Sequence, residues 1–148
     1  MGSTYLSLHY HVVFGTKHRQ PSIAEIWRPR LHEYVGGTVS GLEGIPQAIG
    51  GVEDHIHLLV GLRATHSLAD FVRELKKAAT VWVHDQGLDP QFAWQEGYAA
   101  FTVSPTARDG VKSYVLNQRE HHRKRSSIDE LKWLLKKAGI PYDPQCLE

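Results

Sequence analysis

Two short fragments, far apart in the chain, hold residue types that together could do chemistry. His55-Ile56-His57 lies within Glu53-Asp54-His55-Ile56-His57-Leu58-Leu59-Val60, and Tyr114-Val115-Leu116-Asn117-Gln118 follows downstream. As a strand, the first fragment alternates, placing His55 and His57 on one face and Ile56, Leu58 and Val60 on the other. As a helix, the second projects Tyr114 and Gln118, four residues apart, from one side. Two imidazoles, an amide oxygen and a phenol could then meet around one divalent cation. A tyrosine beside a metal ion is a ready nucleophile, and its natural target is a phosphodiester.

Flanking blocks extend the pattern: His11-Val12-Val13-Phe14-Gly15-Thr16-Lys17-His18-Arg19 before it, and Gly97-Tyr98-Ala99-Ala100-Phe101-Thr102-Val103-Ser104 ahead of the tyrosine. With them, His-hydrophobic-His followed by Tyr-x-x-x-Gln resembles the HUH endonucleases. The likeness is to the single-tyrosine transposases of the smallest bacterial insertion sequences and to the REP-associated tyrosine transposases. It covers about residues 5–125; the tail 126–148 is more than the core motif needs. The resemblance implies a transposase acting on single-stranded DNA with hairpin or palindromic ends. Tyr114 would attack a phosphodiester, leaving a 5′-phosphotyrosine enzyme and a free 3′ hydroxyl, and a second DNA end would resolve it. It also implies dependence on Mg²⁺ or Mn²⁺ held by His55, His57 and Gln118. Imidazole ligands suit Mn²⁺ at least as well as Mg²⁺, which prefers oxygen. Insertion-sequence members work as dimers that share the tyrosine helix, whereas REP-associated relatives can act as monomers. A homodimer is expected here, since dimerisation would also hide the exposed edge of a four-stranded sheet.

Composition sets bounds around this reading. The chain has 148 residues and one cysteine, Cys146. That is the length of one domain able to bury a core without disulfides, and it fits a reducing cytoplasm. The apolar run from Ile56 to Leu62 is too short to span a bilayer. Net charge is +1, yet residues 108–125 carry six Lys/Arg (Arg108, Lys112, Arg119, Arg123, Lys124, Arg125) against Asp109 and Glu120. Such a basic stripe could draw in a phosphate backbone or simply solvate a helix end.

The elements follow from periodicity. Tyr5 to Phe14 alternates as a strand, with Leu6, Leu8, Tyr10, Val12 and Phe14 on one face and Ser7, His9, His11 and Val13 on the other. A helix over Ile23 to Val35 ends at Gly36-Gly37, with Pro29 starting or kinking it near Trp27. Strands follow at Ile45–Val52 and His55–Leu62. Ser67 with Asp70 caps a helix whose stripe is Leu68, Phe71, Val72, Leu75, Ala79 and Trp82, and which Gly87 and Pro90 end. Tyr98–Val103 is a fourth strand, and Thr106 with Asp109 caps the tyrosine helix. Ser127 with Glu130 caps a last helix carrying Ile128, Leu131, Leu134, Leu135 and Ala138, before Gly139 and Pro141.

This order predicts an α+β, ferredoxin-like or RRM-like βαββαβ fold: a four-stranded antiparallel sheet with strands one and three in the middle. Two long helices cover one face, so His55 and His57 emerge on the open face, which the tyrosine helix can cross. A C-terminal helical extension follows. Glu120, His121 and His122 lie close enough to replace Gln118. His9-Tyr10-His11 is a second His-x-His on the same face, with His11 a candidate supporting residue. Lys17, Arg19, Arg73, Lys76, Lys77, Arg119, Arg123 and Lys124 could follow a DNA backbone, with Trp94 or Tyr98 stacking on bases. Other readings are an HUH replication initiator or relaxase-type nickase, a domesticated REP-associated protein, a non-catalytic RRM-like RNA-binding module, and an unrelated metal hydrolase. The nickases usually need larger chains, the RNA module wants aromatics where the histidines stand, and the hydrolase wants clustered acids.

Overall fold

The strict alternation around His55 sets the architecture. The computed structural model describes residues 2–147. Strands β1 (His9–Gly15), β2 (Ile45–Gly51), β3 (His55–Gly61) and β4 (Ala99–Thr102) form one antiparallel sheet in the order β2-β3-β1-β4. Helices α1 (Arg28–Gly41) and α2 (Leu68–Asp85) cover one face. Val12 and Phe14 of β1 and Ile56, Leu58 and Val60 of β3 meet Leu31, Val35, Val39, Phe71, Val72 and Leu75 there. Helices α3 (Arg108–Leu116), α4 (Gln118–His121) and α5 (Ser127–Lys137) follow the last strand. The expected α+β fold, with β1 and β3 central, is therefore observed.

The other face is not open. Ala48, Leu59, Val103 and Val115 form a small second core under α3, and His11, His55 and His57 are each 5% exposed or less. Every residue of β3 is buried, so this strand has a dry side toward α1 and α2 and a polar side toward α3 to α5.

Several local expectations are corrected. The first strand starts at His9; Tyr5 and Leu6 precede the sheet and are exposed. Helix α1 starts with Pro29 in its first turn, where no amide partner is needed, and runs through Gly36-Gly37 to Gly41. Each helical glycine costs about 1 kcal/mol relative to alanine, and full burial of Leu31, Val35 and Val39 on one stripe offsets this. Ser67 does cap α2 by accepting from the Asp70 amide. Thr106 does not cap α3: the residue before that helix is Ala107, and the Thr106 hydroxyl meets Ser104 instead. The last helix is capped by Ser126, which accepts from Asp129, one residue earlier than the sequence pattern suggests. That shift frees Ser127 and Glu130 for other work.

Tyr114 and Gln118 do not share one helix. Asn117, a poor helix former, sits at φ −104° and ψ 28° and ends α3 before α4 begins. Gln118 is thereby turned inward and buried.

Helix α3 lies unusually close to the sheet. A Cβ built on Gly50 of β2 would sit 1.9 Å from the carbonyl oxygen of Val115. Backbone touches backbone there, and only glycine permits it. Gly50→Ala should lift α3, costing about 1–3 kcal/mol as overpacking does. Urea unfolding measures that loss, and tyrosine reactivity in the same variant should fall with it.

Candidate active site

The polar side of β3 gathers electron-rich atoms. His55 and His57 project there two residues apart, and antiparallel pairing sets β1 alongside, bringing His11 diagonally next to His57. His55 Nδ1 lies 2.7 Å from Asp54 Oδ1. A carboxylate only accepts, so this nitrogen carries the proton and Nε2 faces the site. His57 Nδ1 lies 2.7 Å from His11 Nε2, which turns its own Nε2 inward as well. His122 Nδ1 donates to the carbonyl of Arg125 at 2.7 Å, aiming a third Nε2 at the same point. The Gln118 amide nitrogen donates to the Tyr114 carbonyl, leaving Oε1 3.3 Å from His55 Nε2 and 3.1 Å from His122 Nε2.

At the centre stands Glu130 of α5. Its Oε1 is 2.8 Å from His57 Nε2, 3.2 Å from His122 Nε2 and 3.3 Å from His55 Nε2. Its Oε2 accepts a short hydrogen bond from the Tyr114 hydroxyl. His55, His57, His122 and Glu130 offer ligand atoms within 4.8 Å of one another, a group that could hold a metal ion. The donor chemistry fits one. Outer nitrogens engaged by Asp54, His11 and a carbonyl are the usual way ligating histidines are oriented, and the inner nitrogens converge on one carboxylate oxygen, where a cation could take the place of the protons they share with it.

Protonation in the metal-free state follows the same logic. Burial opposes a charge on His55, but hydrogen bonds to Asp54 and Glu130, with their negative charges, prevail and hold its pKa at about 9. At His57 burial wins over Glu130 and brings the pKa to about 4. Burial and the neighbouring His57 bring His11 to about 3. Burial likewise resists the charge of Glu130, yet the bonded imidazoles keep it ionised far below the usual carboxylate range. The Tyr114 phenol is pushed up by burial and by Glu130.

The sequence profile described as transposase, IS200-like, matches residues 4–118. The chain belongs to this family. The ISDra2 transposase TnpA of Deinococcus radiodurans is 26% identical over 121 residues, spanning 76% of this chain and 85% of that protein. Among solved structures, a candidate transposase from Deinococcus radiodurans R1 is 25% identical with a TM-score of 0.63, covering 80% of this chain and 96% of its own. A REP-associated tyrosine transposase bound to a REP hairpin shares the fold at 14% identity and a TM-score of 0.56, over 78% of this chain and 68% of its own. The IS200-like match ends at Gln118, so His122 and Glu130 lie beyond it.

Of the residues singled out in the sequence, His55, His57, Gln118, Tyr114 and His11 come together within a single chain. His122 joins them, while Glu120 pairs outward with Arg123 at 3.2 Å. The proposed DNA contacts scatter. Arg73, Lys76 and Lys77 sit on α2, across the sheet from the histidines. Lys76 donates to the carbonyls of Gln95 and Gly97, and Arg73 pairs with Asp70 at 2.9 Å. Arg119 pairs with Glu25 at 3.1 Å. Lys17 and Lys124 are exposed; Arg19 is half-buried and helps stabilise the Asp54 carboxylate. Trp94 is core, edge-on to Phe14 and Phe92, and cannot stack on a base; Tyr98 remains exposed.

Sequence reasoning missed Glu130 and Trp133. The Ser127 pattern places Glu130 in a cap, although an acid four residues before the apolar Leu134 on an amphipathic helix marks an inward-facing charge. Trp133 is 40% exposed, its ring 6.1 Å from Tyr114, with Arg125 and Lys137 each 5.0 Å from its centre. It lines a groove of about 370 Å³ with His11, Tyr114 and Lys137.

The shifted histidines give a pH signature. His55 is raised above its unfolded value, so its contribution is complete below pH 6.5 and lost as pH rises through 9. His11 and His57 are depressed, so theirs is present above pH 6.5 and lost as pH falls toward 4. Chelator-treated protein should therefore be most stable near pH 6.5 and lose stability on the alkaline side as the His55 proton is lost. Thermal melts in EDTA across pH should show this maximum. Saturating Mn²⁺ should flatten the alkaline limb, because a cation among these atoms would compete with the His55 proton.

Proposed function

We propose that this IS200-like transposase cuts and rejoins single-stranded DNA through Tyr114. One observation carries the reading: the Tyr114 hydroxyl and the inner nitrogens of His55 and His57 meet on a single carboxylate. Nucleophile and cation-holding groups are thus within one side chain of each other. His55, His57 and Gln118 hold Mg²⁺ or Mn²⁺, with Asp54 and His11 fixing the two imidazoles from behind. When bound, the cation offsets phosphate charge and orients phosphorus for in-line attack.

Tyr114 bonds its phenolic oxygen to phosphorus as the bond from phosphorus to the 3′ oxygen breaks; net, the phenolic proton ends on that departing oxygen, giving a 5′-phosphotyrosine and a 3′ hydroxyl. Because the linkage keeps the bond energy, a second 3′ hydroxyl reverses the step without ATP. The groove beside Tyr114 suits the flanking nucleotide, with Trp133 as a stacking surface and Lys137 and Arg125 as phosphate partners. Arg119, Arg123 and Lys124 extend this basic edge, while Lys17 and Arg19 border the Asp54 end. Arg73, Lys76 and Lys77 would require DNA to wrap across the sheet. Hairpin ends as substrate are supported by the hairpin-bound protein of the same fold. We take the whole chain as one working domain, acting in the cytoplasm where a transposase meets DNA. Among the described residues, no helix is long and apolar enough to cross a membrane.

The covered histidine face disfavours an RNA-binding sheet, which needs that surface free. A homodimer remains the preferred assembly, but the tyrosine helix already packs on its own sheet, which favours a site completed in cis.

Tyr114→Phe should abolish covalent capture of a labelled hairpin oligonucleotide on denaturing gels while leaving its binding intact; an adduct persisting in the variant rejects the assignment. EDTA should stop cutting, with Mn²⁺ restoring it at least as well as Mg²⁺. Mixing Tyr114→Phe protein with a His55→Ala/His57→Ala double variant, under proven subunit exchange, should yield no cleavage. Recovered cleavage would instead establish a site shared between subunits.

A further inference from the structure

We infer that α5 belongs to the active site: Glu130 is a ligand of the cation and, at the same time, the acceptor that aims the Tyr114 hydroxyl. This rests on the reading of Tyr114 and the histidines given above and adds a residue outside the family-matched segment.

Glu130 is 1% exposed, and its ion-pair partners among the described residues are the imidazoles of His55, His57 and His122. Burying a carboxylate costs several kcal/mol unless strong partners surround it. Without a cation, protons on the inner imidazole nitrogens supply that compensation, because Glu130 can only accept from His57 and His55. A divalent cation among these atoms would replace those protons with a stronger positive charge at the same inner nitrogens and Oε1. The two carboxylate oxygens divide the work, with Oε1 toward the imidazoles and Oε2 on the phenol.

The placement is built rather than incidental. Ser127 Oγ donates to Asp54 Oδ2 at 2.9 Å, while the other oxygen of Asp54 holds His55. Helix α5 is therefore registered onto the same carboxylate that orients a metal-facing histidine. Leu134 and Leu135, both 8% exposed, fasten the helix beyond it. With Glu130 as a ligand, the site carries one negative charge and should bind its cation before any phosphate arrives.

The test uses the full chain without DNA first. Mn²⁺ titration followed by electron paramagnetic resonance should show Glu130→Gln and Glu130→Ala weakening affinity by about tenfold or more. The visible absorption of bound Co²⁺ should change in Glu130→Gln, which a purely structural role would not produce. Covalent capture of the hairpin oligonucleotide should slow in both variants. Unchanged Mn²⁺ affinity and Co²⁺ spectrum, or capture as fast as or faster than wild type, would overturn the inference; faster capture would mark Glu130 as an obstruction. If Glu130→Ala does not fold by circular dichroism, the near-isosteric Glu130→Gln decides. Failure of wild-type protein to form any adduct would count against the Tyr114 reading, while the metal titrations would still judge Glu130.

Discussion

Strand β3 carries the constraint on which the rest of the structure depends. It is buried on both sides, so its two-residue period separates two incompatible environments by the thickness of one backbone. Ile56, Leu58 and Val60 need hydrocarbon, and α1 and α2 supply it. His55 and His57 need polar partners in a place water barely reaches, and those must come from elements that arrive later in the chain. A register slip of one residue would exchange the two sets and ruin both.

The polar side is organised by reciprocity. Asp54 holds His55 and Ser127; His57 is held by His11 and Glu130; Glu130 ties both histidines to Tyr114. Each group both positions a neighbour and is positioned by one. Low local dielectric makes such a network strong when complete and costly when broken. Within it the charge falls unevenly on two neighbours: the bonds to Asp54 and Glu130 favour a proton on His55, while burial keeps His57 neutral.

The sheet, its order and the face bearing the histidines were legible in the sequence because alternation is a local, repeated signal. His55, His57 and Tyr114 were legible because of residue type and spacing. What was hidden depended on single residues acting at a distance. The break at Asn117 changes how Gln118 reaches the site without disturbing the four-residue spacing. The Ser126 cap competes with Ser127 in an almost identical pattern, and one position decides whether Glu130 closes a helix end or enters the centre. The covering of the open face could not be read from periodicity, since it depends on how α5 returns to a strand more than seventy residues earlier.

The contact between Gly50 and the Val115 carbonyl has a consequence for how such a protein can diverge. The height of α3 above the sheet is fixed by two main chains in contact, not by the size of any side chain between them. Outward-facing positions of that helix, such as Lys112 and Leu116, can therefore change freely without shifting the tyrosine. The position of Tyr114 is held through a missing methyl group, while the exposed side of its helix is left to drift toward new sequences.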